Sequence, residues 1–95
     1  MRSISAEELS KITALNGRII DIRENFEYSK GHVPNAINIP MSELMERMAE
    51  VNHGDYIICQ SGERSMNACT LFDLLGIDVI NVEDGTDAFP LELKK

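Results

Sequence analysis

The chain has 95 residues, 43% hydrophobic and 26% charged, with 9 basic against 16 acidic side chains and a formal charge of −7. That length and mixture suit one small globular domain over residues 1–95 and exclude wholesale disorder. No apolar run approaches the ~20 residues of a membrane helix. Residues 1–10 lack the apolar centre of a signal peptide, and the scattered basic residues argue against nucleic acid as a partner.

Ile4-Ser5-Ala6-Glu7-Glu8-Leu9 starts a helix, with Ser5 and Glu8 forming a capping box and Ile4 packing on Leu9. Its end is expected near Asn16-Gly17, where glycine suits a C-cap. Residues 18–22 form a β-branched run that reads as a buried strand delivering Asp21 and Arg23 to a loop. Residues 24–30, with Phe26 and Tyr28, suggest one or two helical turns before Gly31. Ala36-Ile37-Asn38-Ile39 is the next strand, closed by Pro40. Ser42 then caps a helix through Glu50, with Leu44, Met45, Met48 and Val51 at helical spacing.

Tyr56-Ile57-Ile58-Cys59 is a third apolar strand. After the polar residues 60–64, Ser65 caps a helix that ends at Leu75, with Gly76 at C′ and Cys69, Phe72 and Leu75 as its buried stripe. Val79-Ile80-Asn81-Val82 is the last strand. Four short apolar strands alternating with helices imply an α/β domain, a parallel sheet covered on both faces. A functional site in such a sheet lies at the carboxyl ends of the strands.

Cys59 and Cys69 are too few for a disulfide scaffold or a structural zinc site. An intervening helix, rising ~1.5 Å per residue, holds them beyond the ~7 Å Cα limit for a bridge. Both thiols are therefore expected to be free, in a reducing, cytoplasmic compartment. The two histidines show no ligand spacing with each other or with the cysteines.

Cys59 carries the chemistry. It ends a strand, and Gln60-Ser61-Gly62-Glu63-Arg64-Ser65 leads directly into a helix. Backbone N–H groups of such a loop, with the positive end of the helix, form a nest for an anion. The same field favours the thiolate, the nucleophilic form of cysteine. Gly62 allows the backbone conformation a tight cradle requires. Arg64 adds a positive charge able to meet an oxyanion or to hold the loop. A cysteine that merely filled the core would give no reason for this polar loop.

These residues resemble the active-site loop of single-domain rhodaneses, the thiosulfate sulfurtransferase family. A second block agrees: Ile20-Asp21-Ile22-Arg23, then Glu27-Tyr28, then Gly31-His32-Val33-Pro34-Asn35-Ala36-Ile37-Asn38-Ile39-Pro40. It is similar to the family's Asp-x-Arg signature followed by Gly-His-Ile-x-Gly-Ala-x-Asn-Ile-Pro. The likeness runs from about Ile4 to Phe89. It implies a single rhodanese-like domain with a short parallel sheet of about five strands and helices on both faces.

The resemblance further implies sulfur transfer. The Cys59 thiolate takes the outer sulfur of a donor such as thiosulfate or a protein persulfide, and a thiol or cyanide removes it. No metal or organic cofactor is required. Gln60, Ser61, Gly62, Glu63, Arg64 and Ser65 would bind substrate, mostly through backbone, while Asp21 and Arg23 would brace the site. Alternatives are a non-catalytic partner-binding module or a thiol redox sensor. Related cysteine phosphatases place five residues between Cys and Arg; the four here make a loop that suits sulfur better than phosphate.

Two departures from the pattern stand out. Glu63 puts a negative charge in a loop meant for an anion, which with the overall acidity disfavours a dianion. Glu83-Asp84-Gly85-Thr86-Asp87-Ala88-Phe89 matches the family's Gly-Gly-x-x-x-Trp segment only loosely, and no role in the pocket is read from it. His32 reads as a structural hydrogen-bonding group, His53 as a surface residue and Cys69 as core. The methionines read as core filling rather than a metal site.

Overall fold

The computed structural model describes residues 1–12 and 17–95. Five short strands, β1 (Arg2–Ile4), β2 (Ile19–Asp21), β3 (Ile37–Asn38), β4 (Tyr56–Ile58) and β5 (Ile80–Val82), form one parallel sheet in the order β1-β5-β4-β2-β3. Three helices accompany them: α1 (Ala6–Ile12), α2 (Asn25–Lys30) and α3 (Glu63–Leu74). The chain winds outward from β2 to β3, then returns across β2 to β4. The order therefore reverses between β2 and β4, where an open parallel sheet leaves a crevice at its carboxyl edge.

Successive strand residues enter opposite layers. Ile20, Ile22 and Ile57 join Cys59, Ala68, Cys69 and Phe72 on the α3 side. Ile19, Ile58 and Val82 join Ala6, Leu9, Val33 and Phe89 on the other. Burial on both faces is why these strands read as unbroken apolar runs.

The capping box at the start of α1 is present: Glu8 N–H donates to Ser5 Oγ at 3.0 Å, and Ser5 N–H to Glu8 Oε1 at 3.2 Å. The end of this helix expected near Asn16 lies outside the described residues. Replacing Ser5 with Ala should cost about 1 kcal/mol in urea denaturation; an unchanged midpoint would show that the cap contributes nothing.

Four expectations are corrected. β1 was not among the strand candidates, because Arg2-Ser3-Ile4 has no apolar pattern; pairing of Arg2 with Ile80 and Ile4 with Val82 makes it a strand. The helix expected over residues 42–50 is instead two 3-10 turns, Met41–Glu43 and Met48–Glu50. A stretch this short has little helical stability of its own. Buried Leu44 and Val51 set its path, while Met45 is exposed. Ser65 does not cap α3: the helix begins at Glu63 after Gly62, and Ser65 lies buried inside its first turn. Leu75 leaves the expected stripe for solvent, although Gly76 takes the positive φ foreseen for it.

Candidate active site

Cys59 follows β4 directly, and its sulfur sits in a small cage of donors. The N–H groups of Gly62 and Ser65 reach Sγ at 3.1 and 3.3 Å, and the thiol donates to Ser65 Oγ at 3.5 Å. Ser65 Oγ in turn donates to the Gly62 carbonyl at 3.1 Å. The cage is the start of α3, so both the free N–H groups and the positive end of a 12-residue helix face the sulfur. The side chain is only 1% exposed.

Gly62 makes the turn possible. It has φ +100°, and a Cβ there would lie 1.9 Å from the Glu83 carbonyl oxygen. Segment 83–88 passes this close because it holds the outer side of the loop. The Cys59 carbonyl accepts from Thr86 N–H at 2.9 Å and Thr86 Oγ1 at 3.1 Å, and the Gln60 carbonyl from Asp87 N–H at 3.0 Å. The Gln60 amide also donates to Asp87 Oδ1. With these carbonyls occupied on the outside, N–H groups are left to face the thiol. Sequence reasoning missed Thr86 and Asp87; the turn dipeptide Asp84-Gly85 was the available signal, and it marked a bend without marking its target.

Asp21 and Arg23 sit where expected, at the end of β2 beside the loop. Arg23 Nη2 lies 2.8 Å from Asp21 Oδ2, with both side chains buried. The same guanidinium donates to the Gly31 carbonyl at 2.8 Å and, through Nη1, to Gln60 Oε1 at 3.0 Å. Asn38 closes the turn below, its amide donating to the carbonyls of Asp21 and Arg23, both at 2.9 Å. This pair thus spans from the sheet to the first residue of the loop.

Arg64 does not point into the cage. Its two terminal nitrogens meet the two oxygens of Glu27, each at 2.8 Å, which ties α3 to α2. The Arg64 hydrogen bonds hold the Glu27 carboxyl down to about 2. Glu63 is exposed on the first residue of α3, and Ser61 is exposed on the loop. Of the predicted site residues, the structure brings Gly62 and Ser65 to the sulfur by backbone and Gln60 to Arg23; Ser61 and Glu63 are exposed, and Arg64 is turned to Glu27.

Beside the loop opens a cavity of about 680 Å³ bounded by Arg23, Glu27, Lys30, Gln60, Asp87 and Phe89. Cys59 is not part of its wall, and Gln60 is the shared partition. Cys69 is buried on the same side of the sheet as Cys59, and burial pushes its thiol up to about 12, with the charges of Asp73 and Cys59 adding to the effect. His32 stacks on Tyr28 with ring centroids 3.7 Å apart, and its Nδ1 lies 3.0 Å from the Tyr28 carbonyl oxygen, away from the thiol. His53 Nδ1 accepts the Asp78 N–H at 3.0 Å.

The family model for the rhodanese-like domain matches residues 5–91. The chain belongs to the rhodanese-like domain family. A crystal structure of a rhodanese-like domain protein from Staphylococcus aureus superposes with a TM-score of 0.87 and 33% identity, covering 100% of both chains. YtwF of Bacillus subtilis, provisionally named a sulfurtransferase, is 40% identical over 78 residues, 80% of this chain and 76% of the relative. A protein of Allochromatium vinosum named sulfurtransferase is 32% identical over 94 residues, 94% of this chain and 88% of the relative. The rhodanese-like fold and a general relation to sulfur transfer are thereby established. Among the described residues, no helix is long and apolar enough to cross a membrane.

Proposed function

We propose that this rhodanese-like protein is a sulfurtransferase that carries sulfane sulfur on Cys59. The observation that carries this reading is the pair of N–H groups, from Gly62 and Ser65, on Sγ at the start of α3. Such a cage can stabilise the negative charge that a persulfide sulfur carries.

With thiosulfate as donor, the Cys59 thiolate attacks the outer sulfur. A new S–S bond forms, the old one breaks, and sulfite leaves with its electron pair. An acceptor thiolate or cyanide then attacks the outer sulfur of the Cys59 persulfide, and the Cys59 thiolate is released. This is covalent, two-step catalysis. Asp21 and Arg23 hold Gln60, and the segment around Thr86 fixes the outer carbonyls. No metal or organic cofactor enters these steps. Cys59 is buried, so little of its sulfur is open to a freely diffusing donor. A protein-delivered persulfide, which brings its own binding surface, suits such a site. Both cysteines are free thiols, which fits a reducing, cytoplasmic setting.

Intact mass after treatment with thiosulfate tests the reading. One sulfur, about 32 Da, should appear on Cys59 and vanish on addition of thiol or cyanide. No adduct with thiosulfate, mercaptopyruvate or a polysulfide would favour a non-catalytic binding module instead.

Glu63 gives a second expectation. Its exposed carboxylate stands on the first residue of α3 and repels an approaching dianion. Glu63→Gln should raise kcat/KM for thiosulfate about threefold at low salt, the gain shrinking as salt screens the charge. An unchanged or lower value would remove Glu63 from any part in donor choice.

A further inference from the structure

Two arginines stand nearest the Cys59 loop, and each is already paired. Arg23 is held by Asp21 at 2.8 Å inside the protein. Arg64, the only arginine carried by the loop sequence itself, gives both terminal nitrogens to Glu27 at 2.8 Å. Glu27 is fixed a second time by the Glu24 N–H, which donates to Oε1 at 3.1 Å. It also borders the cavity beside Gln60, so its carboxylate stands next to the loop that carries Cys59. Lys30 borders the same cavity, where Asp87 stands opposite in sign. An anionic donor in this cavity thus meets the Lys30 ammonium but no guanidinium free of a carboxylate partner.

We propose that Glu27 is a specificity-determining residue: by occupying Arg64 it withholds that charge from the donor and selects against dianions in favour of donors with a single or no negative charge. This inference rests on the sulfur-transfer reading of Cys59 and specifies which donors that site takes. The Glu27 carboxyl, held at about 2, stays ionised throughout the working pH range, so the selection is permanent rather than pH-gated.

Two donors of the same shape isolate the effect. Thiosulfate is a dianion and yields sulfite; methanethiosulfonate is a monoanion, with a methyl in place of one oxygen, and yields methanesulfinate. In both, the Cys59 thiolate forms a bond to the outer sulfur while the existing S–S bond breaks and its electron pair leaves with the oxyanion. Removing one negative charge from the wall should help each donor in proportion to its own charge, so the logarithm of the gain doubles for the dianion.

The single-turnover loading rate of Cys59 should be compared for both donors in the unsubstituted protein, in Glu27→Gln, and in the double variant Glu27→Gln/Arg64→Gln. Glu27→Gln should raise the rate about threefold with methanethiosulfonate and about tenfold with thiosulfate at low salt. The double variant removes both charges of the pair, and its donor ratio should return to within about twofold of the unsubstituted protein. The ratio between donors does not depend on how much of a variant is folded, so partial unfolding does not obscure the result. Equal changes for both donors in Glu27→Gln would overturn the proposal and leave Glu27 as a clamp between α2 and α3. A ratio in the double variant as shifted as in the single one would overturn it too. Absence of any 32 Da adduct on the unsubstituted protein with either donor would instead defeat the sulfur-transfer reading, and this proposal with it.

Discussion

Replacing Cys59 with Ser should abolish sulfur loading, by at least about 10³-fold, while leaving the domain folded. A serine hydroxyl at this position is not a nucleophile toward sulfane sulfur and has no sulfur with which to form the S–S bond. The fold should survive because the new oxygen keeps the partners of the old sulfur: Gly62 N–H, Ser65 N–H and Ser65 Oγ all surround it. The cost is that of a slightly shorter polar atom in a buried site, about 1–2 kcal/mol. Cys69 cannot take over. Burial pushes its thiol up to about 12, so it stays protonated near neutral pH. Intact mass and peptide mapping after thiosulfate treatment check this. An adduct of about 32 Da on the Cys59→Ser protein would show that the reactive sulfur lies elsewhere.

Gly62→Ala should destabilise the domain by about 3 kcal/mol or more and lower its melting temperature by about 15 °C. The added Cβ would stand 1.9 Å from the Glu83 carbonyl oxygen and 2.6 Å from the carbon that bears it. Neither atom is the end of a flexible side chain, so relief requires the backbone of segment 83–88 to withdraw. That segment supplies the Thr86 and Asp87 hydrogen bonds to the carbonyls of Cys59 and Gln60, which would be strained or lost together. The left-handed conformation, φ +100°, adds about 1–2 kcal/mol for any residue with a Cβ. Sulfur loading should fall as well, because the Gly62 N–H is one of the two donors on Sγ. Urea denaturation with the linear extrapolation gives the stability change. A loss below about 1 kcal/mol would mean that the strap moves freely and does not hold the loop.

How much of this was legible beforehand depends on how far apart the interacting residues lie. Ser5 and Glu8 form their box as read, because a capping box is built from residues three apart. Cys59 at the end of a strand, the following loop and the helix after it were also readable. The order of residues there compels a thiol beside a helix N-terminus. Asp21 and Arg23 could be placed at the end of their strand, though the reach of Arg23 to Gln60 could not.

The errors have the opposite character. Arg2-Ser3-Ile4 is a strand only because β5 offers it an edge. Residues 41–50 abandon their helical pattern because Leu44 and Val51 must both reach the core. Arg64 had two open roles, meeting an anion or holding the loop, and Glu27, 37 positions earlier, decides for the second. The segment around Gly85, without any role in the sequence reading, encloses the loop through bonds to residues 27 positions back.

The sequence by itself therefore determined the α/β class, the position of Cys59 at the start of a helix and the kind of cage around it, since all of these follow from local order along the chain. The tertiary structure alone decided which charges stay available to a donor. The composition shows 16 acids and 9 bases without saying which are spent on each other. Pairing Arg64 with Glu27 and Arg23 with Asp21 gives both guanidinium groups a carboxylate partner, while the backbone N–H groups of Gly62 and Ser65 are what meet the sulfur. Electrostatic attraction depends on distance in space, and that distance is set only when α2, α3 and the sheet have packed.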